Sequence, residues 1–208
     1  MLTCSTKGAE AQTFLEQFSY DGLAFKGVGV EVGPVWSDRL TRELSLGFRV
    51  DYGNIAPRVR LLFGGSYFRG QLNESETAKF EQGIRRAISD PTGDVVVDVG
   101  QIVWTNIEVN MDMQYMIPAG ASYLFYGGAG LGVHVRNGSG DVIDGSFVED
   151  ALDTIVAGAT VSAGFEWAVL RHLSFTMDLR GVMTSELRLV SARTGMMVRF
   201  ARAAGGNE

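Results

Sequence analysis

Strict alternation of apolar and polar residues is the feature that most constrains this chain. In the segment "LTRELSLGFRVDY" (residues 40–52), the even positions are mostly apolar, whereas the odd positions are polar or glycine. Successive side chains of a β-strand point to opposite faces, so the segment predicts a strand with one apolar and one polar face. On a helix the same spacing would scatter the charged residues around every face.

The alternation recurs along the chain and predicts eight strands in all. The further segments are 28–32, 59–67, 103–115, 125–135, 155–167, 173–179 and 190–200. Short turns at 53–57, 117–122 and 169–172 alternate with longer links, of which 70–94 and 137–153 are the longest. We therefore expect an all-β fold, an eight-stranded antiparallel up-and-down barrel over residues 20–200. Residues 1–19 would form an N-terminal periplasmic segment and residues 201–208 a C-terminal tail.

The link 70–94 predicts a short helix over residues 75–89. Ser75 is a suitable N-cap, and an apolar stripe follows it. The stripe consists of Phe80, Ile84, Ala87 and Ile88. An ordinary loop insertion accounts for such a helix; the alternatives are a cap on the barrel or an element that binds a partner.

Composition excludes several functional classes. The net charge is −6 without a basic block, so the footprint of a nucleic-acid-binding protein is missing. The single Cys4 excludes an internal disulfide framework and a cysteine-based zinc site, and two histidines leave little material for a metal centre. We expect no cofactor and no metal. The first 18 residues lack the apolar core of a signal peptide, which leaves open a lost signal or a protein that is not secreted.

Charge balance indicates which strand face is enclosed. The polar face carries Glu31, Glu43, Asp51, Glu108, Asp112, Glu166 and Asp178 against Arg49, Arg58, Arg60, Arg136, Arg180, Arg193 and Arg199. An unpaired charge away from bulk water costs several kcal/mol, so an enclosed lumen requires such a balance. We therefore expect these residues, together with His134, to form a polar network inside a barrel whose apolar face meets lipid.

Aromatic residues of the apolar face support a membrane barrel. Those near the short-turn ends of the strands are Tyr52, Tyr115, Tyr123, Phe125, Phe165, Trp167 and Phe200. A girdle at one level is expected at a membrane interface, whereas a soluble core gives no reason for it. Arg42, Arg69 and Arg188 on the same face lie near the loop ends, where they can reach headgroups. Lys26 breaks the pattern in the first strand.

Three segments carry a resemblance to a known class. "YGGAGLGVHV", "AGATVSAGFEWAVL" and the last strand "RTGMMVRF", which ends in Phe200, resemble strands of the small eight-stranded outer-membrane barrels of the OmpA/OmpX/OmpW-like class. The resemblance implies a transmembrane barrel, with the helix in an extracellular loop, in the outer membrane of a Gram-negative-type bacterium. It implies outer-membrane lipids as partners and a terminal aromatic that is read by the barrel-assembly machinery. Because fourteen inward charges fill a narrow interior, we expect a structural or interaction role, or narrow transport of a small or apolar solute. We also expect a monomer.

Other functions remain as alternatives. His172, Ser174 and Glu186 have a spacing that resembles outer-membrane lipid A deacylases, but His172 falls in a short turn and Ser174 has inward parity. A soluble ligand-binding barrel is a further alternative. The glycines of "GAGLGV" lack the third glycine and the following helix of a dinucleotide loop.

Overall fold

The chain folds into one closed barrel. The structure, a computed structural model, describes residues 18–87, 99–140, 153–185 and 187–200. The strands are β1 (Leu23–Ser37), β2 (Glu43–Ala56), β3 (Val59–Gln71), β4 (Val103–Ala119), β5 (Tyr123–Ser139), β6 (Thr154–Leu170), β7 (Leu173–Thr184) and β8 (Arg188–Arg199). Each strand pairs antiparallel with the next, and β8 pairs with β1. The predicted eight-stranded up-and-down barrel is confirmed.

The two ends of the barrel differ. The connections after β2, β4 and β6 are short turns, and we call this the turn end. The connections after β1, β3, β5 and β7 lie at the opposite end, the loop end. A 3₁₀ turn (Tyr20–Gly22) precedes β1 at the turn end, and the helix α1 (Glu74–Ala87) follows β3 at the loop end. Among the described residues, no helix is both long enough and apolar enough to cross a membrane.

The barrel is polar inside and apolar outside. Along β4, Ile107, Val109 and Met111 are 43–61% exposed, whereas the intervening Glu108 and Asn110 are at most 5% exposed. This alternation continues around the sheet and is the reverse of a soluble core, in which the apolar face is buried.

A row of glycines lets β5 lie against the long side chains of β4. Gly128, Gly130 and Gly132 pair with Gln114, Asp112 and Asn110, respectively, and face the interior. A Cβ atom at Gly130 would overlap Asp112 Oδ1 and the carbonyl oxygen of Met111. The glycine spacing therefore makes room for the polar residues of the neighbouring strand.

An irregularity in β1 explains the exception at Lys26. The β1–β2 register shifts between Leu23 and Gly27, which inserts extra residues into β1. Such a bulge changes the face to which the following side chains point. Lys26 consequently lines the inner mouth of the turn end, while Phe25 points outward and stacks on Phe200.

The helix in the β3–β4 connection is confirmed, but its cap differs from the prediction. Asn73 rather than Ser75 caps α1, because Asn73 Oδ1 accepts a hydrogen bond from the amide of Glu76 at 3.0 Å. Ser75 instead donates its hydroxyl to the same Asn73 oxygen at 2.8 Å. Ile88 and Ser89 lie outside the described residues, as does the side chain of Ala87.

Sequence alternation did not reveal an apolar core inside the loop end. Its buried members are Val35, Leu40, Phe68, Val99, Ile102, Trp104, Val182, Leu187 and Leu189. Phe80 and Ile84 of α1 pack against this core, so the helix covers the loop end of the barrel. The interior thus has two layers, a charged one in the middle and turn end and an apolar one under α1.

We predict that Gly130→Ala destabilises the barrel, because the added methyl group overlaps a carboxylate that Arg180 and Thr160 already hold. Gly127→Ala is the matched control, since its Cβ would point outward from the same strand with no atom nearer than 3.9 Å. Urea unfolding in lipid vesicles, followed by tryptophan fluorescence, should give a lower free energy of unfolding for Gly130→Ala only. Equal values for the two variants would contradict the steric role of the glycine row.

Candidate functional site

Paired charges fill the middle of the barrel. The carboxylates are Glu31, Asp51, Glu108, Asp112, Glu166 and Asp178, and the guanidinium groups that pair with them are those of Arg49, Arg60, Arg180, Arg193 and Arg199. Six acids therefore meet five arginines, and all are buried except Arg199, whose side chain is 32% exposed at the turn end.

Arg60, Arg199, Glu166 and Asp51 form the cluster nearest the turn end. Glu166 Oε1 lies 2.5 Å from Arg60 Nη1, and Glu166 Oε2 pairs with Arg199. Asp51 Oδ2 lies 3.2 Å from Arg199 Nη1 and 3.8 Å from Arg60 Nη1. Gln114 Oε1 accepts hydrogen bonds from Arg60 Nε and Nη2 at 3.0 and 2.8 Å, which completes the arginine's shell.

Glu31 holds the centre of the network between two arginines. Its Oε2 lies 2.6 Å from Arg49 Nε, and its Oε1 lies 2.5 Å from Arg193 Nη1. Arg49 also pairs with Asp178 and donates a hydrogen bond to Tyr126 Oη at 3.2 Å. Arg60 lies 5.0 Å from the centroid of the Tyr126 ring, so this tyrosine connects the centre with the turn-end cluster.

Glu108 and Asp112 carry the network towards the loop end. Glu108 accepts hydrogen bonds from Ser66 Oγ and Asn110 Nδ2, both at 2.8 Å. It also lies 3.6 Å from Arg180 and 3.8 Å from Arg193. Arg180 pairs with Asp112 as well. Because Glu31 and Glu108 each share two arginines, these charges form one continuous ion-pair network. Tyr126 joins that network to the turn-end cluster.

Arg136, His134 and Glu43 lie above this network, towards the loop end. Arg136 donates to Thr184 Oγ1 at 2.8 Å and lies 5.7 Å from the ring centroid of Trp104. His134 is fully buried and faces Glu108 across the β4–β5 pair. Glu43 is partly buried at the rim, where it accepts a hydrogen bond from Thr41 at 2.8 Å.

Arg58 lies outside the interior, so the position expected for it is wrong. It is exposed in the turn between β2 and β3, with φ of 63°. Side-chain parity holds only while the backbone stays extended, and at Pro57–Arg58 the chain reverses. Arg60, two residues later, is the interior arginine of β3.

Several uncharged members of the network escaped the sequence prediction. They are Ser66, Asn110, Gln114, Tyr126 and Thr160. All of them share parity with the neighbouring inward charges, which was the available signal. The sequence pattern did not single out Tyr126, because the nearby aromatic residues Tyr123 and Phe125 belong to the outward face.

The seven outward aromatics expected near the short turns lie at the turn end. Tyr52, Tyr115, Tyr123, Phe125, Trp167 and Phe200 are 42–49% exposed, and Phe165 is partly buried. Neighbours contact one another across strands: the ring centroids of Tyr123 and Trp167 are 6.2 Å apart, as are those of Phe125 and Phe165. The level of these rings marks one edge of the apolar outer surface.

Within the described residues, the interior carboxylates are held by arginines, and no group of three His, Cys, Asp or Glu side chains could hold a metal ion. His172 is exposed in the β6–β7 turn, and Ser174 is buried on the inner wall. Glu186, the third residue of the hydrolase alternative, lies outside the described residues.

We predict that Arg180→Met destabilises the protein by about 3–5 kcal/mol, because it leaves Asp112 buried with Thr160 as its hydrogen-bond donor. The double variant Arg180→Met/Asp112→Leu should recover much of that loss, because no orphaned carboxylate remains. Arg171→Met, at an exposed turn position, serves as the control. Unfolding in urea is the measurement, and a double variant that is no more stable than the single one would contradict the pairing argument.

Solved structures resemble this barrel, although no family model and no curated protein sequence matches the chain. Neisserial surface protein A superposes with a TM-score of 0.57 at 14% identity, over 86% of this chain and 100% of that one. OprG, an outer membrane protein from Pseudomonas aeruginosa, superposes with a TM-score of 0.51 at 12% identity, over 87% of this chain and 98% of that one. At such identities the likeness concerns the fold alone. The chain has the closed eight-stranded fold of the small outer-membrane β-barrels.

Proposed function

We propose that the protein is an outer-membrane β-barrel with a structural or interaction role, and that it acts through its surface and not through an open lumen. The observation that carries this proposal is the filled interior: paired charges occupy the middle of the barrel, and an apolar core lies beneath α1 at the loop end. An eight-stranded barrel has just enough interior for its own side chains.

A membrane location is supported by the outer surface. On the outer face of β8, Val190 is 54% exposed, and Phe200 just beyond the strand is 46% exposed. Ten residue steps of about 3.3 Å, tilted by about 40°, give an apolar height of about 25 Å, which matches the outer band of membrane barrels. In water, an apolar belt of this extent would favour aggregation.

The filled interior also disfavours the other functions. Transport through the lumen would have to pass the arginine–carboxylate network and then the apolar core. The hydrolase alternative needs a serine and a base that meet, whereas Ser174 is enclosed and His172 lies on the surface of the turn. A soluble ligand-binding barrel would need its apolar face on the inside.

The position of Phe200, just after the last strand, also supports this proposal. Phe200 stacks on Phe25 with ring centroids 5.0 Å apart, and its amide donates to the carbonyl oxygen of Lys26 at 2.8 Å. The terminal aromatic is thereby fixed at the seam between the last strand and the first. We propose that the barrel-assembly machinery reads this aromatic before the seam closes.

We predict that Leu131→Arg destabilises the inserted barrel by about 2–4 kcal/mol, because it places a charge at mid-membrane depth. Leu131 is the central residue of β5 and is 67% exposed. The control Asn137→Arg, on the same face but at the loop end, should cost at most about 1 kcal/mol. Urea unfolding from lipid vesicles tests this, with heat-modifiable gel mobility as the folding assay. A protein that stays monodisperse without detergent, or equal effects of the two variants, would refute the membrane location.

We predict that the wild-type protein gives no sustained current in planar lipid bilayers, because the arginine–carboxylate network and the apolar core beneath α1 occupy the described part of its interior. A conducting porin in the same bilayers serves as the positive control, and gel mobility confirms that the inserted protein is folded. Reproducible single-channel steps from the wild-type protein would contradict the closed interior and support narrow transport instead.

A further inference from the structure

Three arginines point outward from one side of the loop end. Arg42 precedes β2, Arg69 lies near the end of β3, and Arg188 begins β8; all three are exposed. Because β8, β1, β2 and β3 are consecutive neighbours in the barrel, these residues occupy one side of its rim. We call Arg42, Arg69 and Arg188 the arginine patch.

An outward tryptophan, Trp36, contacts one arginine of the patch and lies near a second. The guanidinium carbon of Arg42 lies 5.2 Å from the ring centroid of Trp36, which is 38% exposed. Trp36 also pairs across the β1–β8 seam with Val190, two residues before which lies Arg188. A tryptophan between outward arginines is an arrangement suited to a membrane surface, where the ring lies at headgroup level.

Each arginine of the patch occupies the first outward position beyond the apolar surface of its strand. The last apolar residues before them are Leu44 on β2, Tyr67 on β3 and Val190 on β8, with exposures of 61%, 45% and 54%. The guanidinium groups therefore lie just above the apolar band, at the height of lipid phosphates.

The arginine patch has no carboxylate partner among the described residues. Arg42 contacts Trp36, and Arg69 and Arg188 take part in no ion pair there. Of the acids at the rim, Asp38 accepts a hydrogen bond from the backbone amide of Arg188 at 3.3 Å, and Glu43 accepts one from the hydroxyl of Thr41 at 2.8 Å. Arg39, in the same connection, faces Glu76 of α1 at 3.8 Å. In contrast, the interior arginines Arg49, Arg60, Arg180 and Arg193 form ion pairs with buried carboxylates.

Within the described residues, the other side of the loop end carries no such cations. The outward residues there on β4 to β7 are Val103, Thr105, Val135, Asn137, Ser139, Ile155 and Met183. Asp153, which is exposed just before β6, adds a negative charge to that side. The outward cations of the described rim therefore lie on the side formed by β8, β1, β2 and β3.

We propose that the arginine patch binds the phosphate of anionic lipid headgroups at the loop-side membrane surface. Guanidinium groups bind phosphate oxygens in a bidentate manner, and arginines next to a membrane attract anionic lipids. The proposal rests on the membrane location proposed above. It adds a ligand class and a side: phosphorylated lipid held along the rim of β8, β1, β2 and β3.

The test compares lipid binding by the detergent-purified protein, measured by native mass spectrometry. Dioleoyl phosphatidic acid is the probe, and dioleoyl phosphatidylcholine, with the same chains, is the reference lipid. The wild-type protein should prefer phosphatidic acid, and Arg42→Gln/Arg69→Gln/Arg188→Gln should lose that preference by about tenfold or more. The control Arg58→Gln/Arg171→Gln removes two exposed arginines at the turn end and should keep it.

Results opposite to those expected would overturn the proposal. A triple variant with unchanged preference, or a control that loses it equally, would show that the arginine patch is not the site. Displacement of the lipid by equimolar glycerol 3-phosphate would show that the patch binds soluble phosphates instead. Should the triple variant fail to fold by gel mobility, the three single variants decide, since each must lose part of the preference. A wild-type barrel that inserts into vesicles yet shows no preference sinks this inference alone, whereas a barrel that does not insert sinks the proposed function.

Discussion

Enclosed charges must be paired, and much of this structure follows from that requirement. Glu31 between Arg49 and Arg193, and Glu166 between Arg60 and Arg199, place each carboxylate where two guanidinium groups compensate it. Such long side chains need room within a barrel of eight strands. The inward glycines of β5 supply that room opposite β4. The apolar residues are left on the outside, where a lipid environment is more favourable than water.

Much of the fold could be predicted from the sequence because side-chain direction in a strand is a local property. Eight alternating segments gave the strand number, and parity assigned Glu108, Asp112 and Arg180 to the inside correctly. Parity failed where the backbone departs from the extended form. Arg58 lies in a reversal of the chain, and the bulge in β1 turns Lys26 inward. In the alternation, Lys26 is visible only as a break in the pattern without its cause, and Arg58 leaves no sign at all.

The apolar core beneath α1 shows a second limit of the sequence. Val35, Phe68 and Trp104 have the same inward parity as the charged residues below them, but in a membrane barrel apolar residues are expected on the outer face. Only the position of α1 over the loop end explains why inward apolar residues are stable there. The charge pairs were likewise beyond prediction, because sequence identifies the acids and arginines of the interior but not which strands bring them together. Whether these residues serve as a functional site remains a prediction.

Arg193, which pairs with Glu31, lies 162 residues further along the chain. Glu31 belongs to the first strand, and Arg193 to the last. A sheet without β8 would leave Glu31 with Arg49 alone, and Asp51 and Glu166 would lack Arg199. Arg193 and Arg199 both belong to β8, so the pairing of β8 with β1 and β7 closes the sheet and compensates these interior carboxylates together.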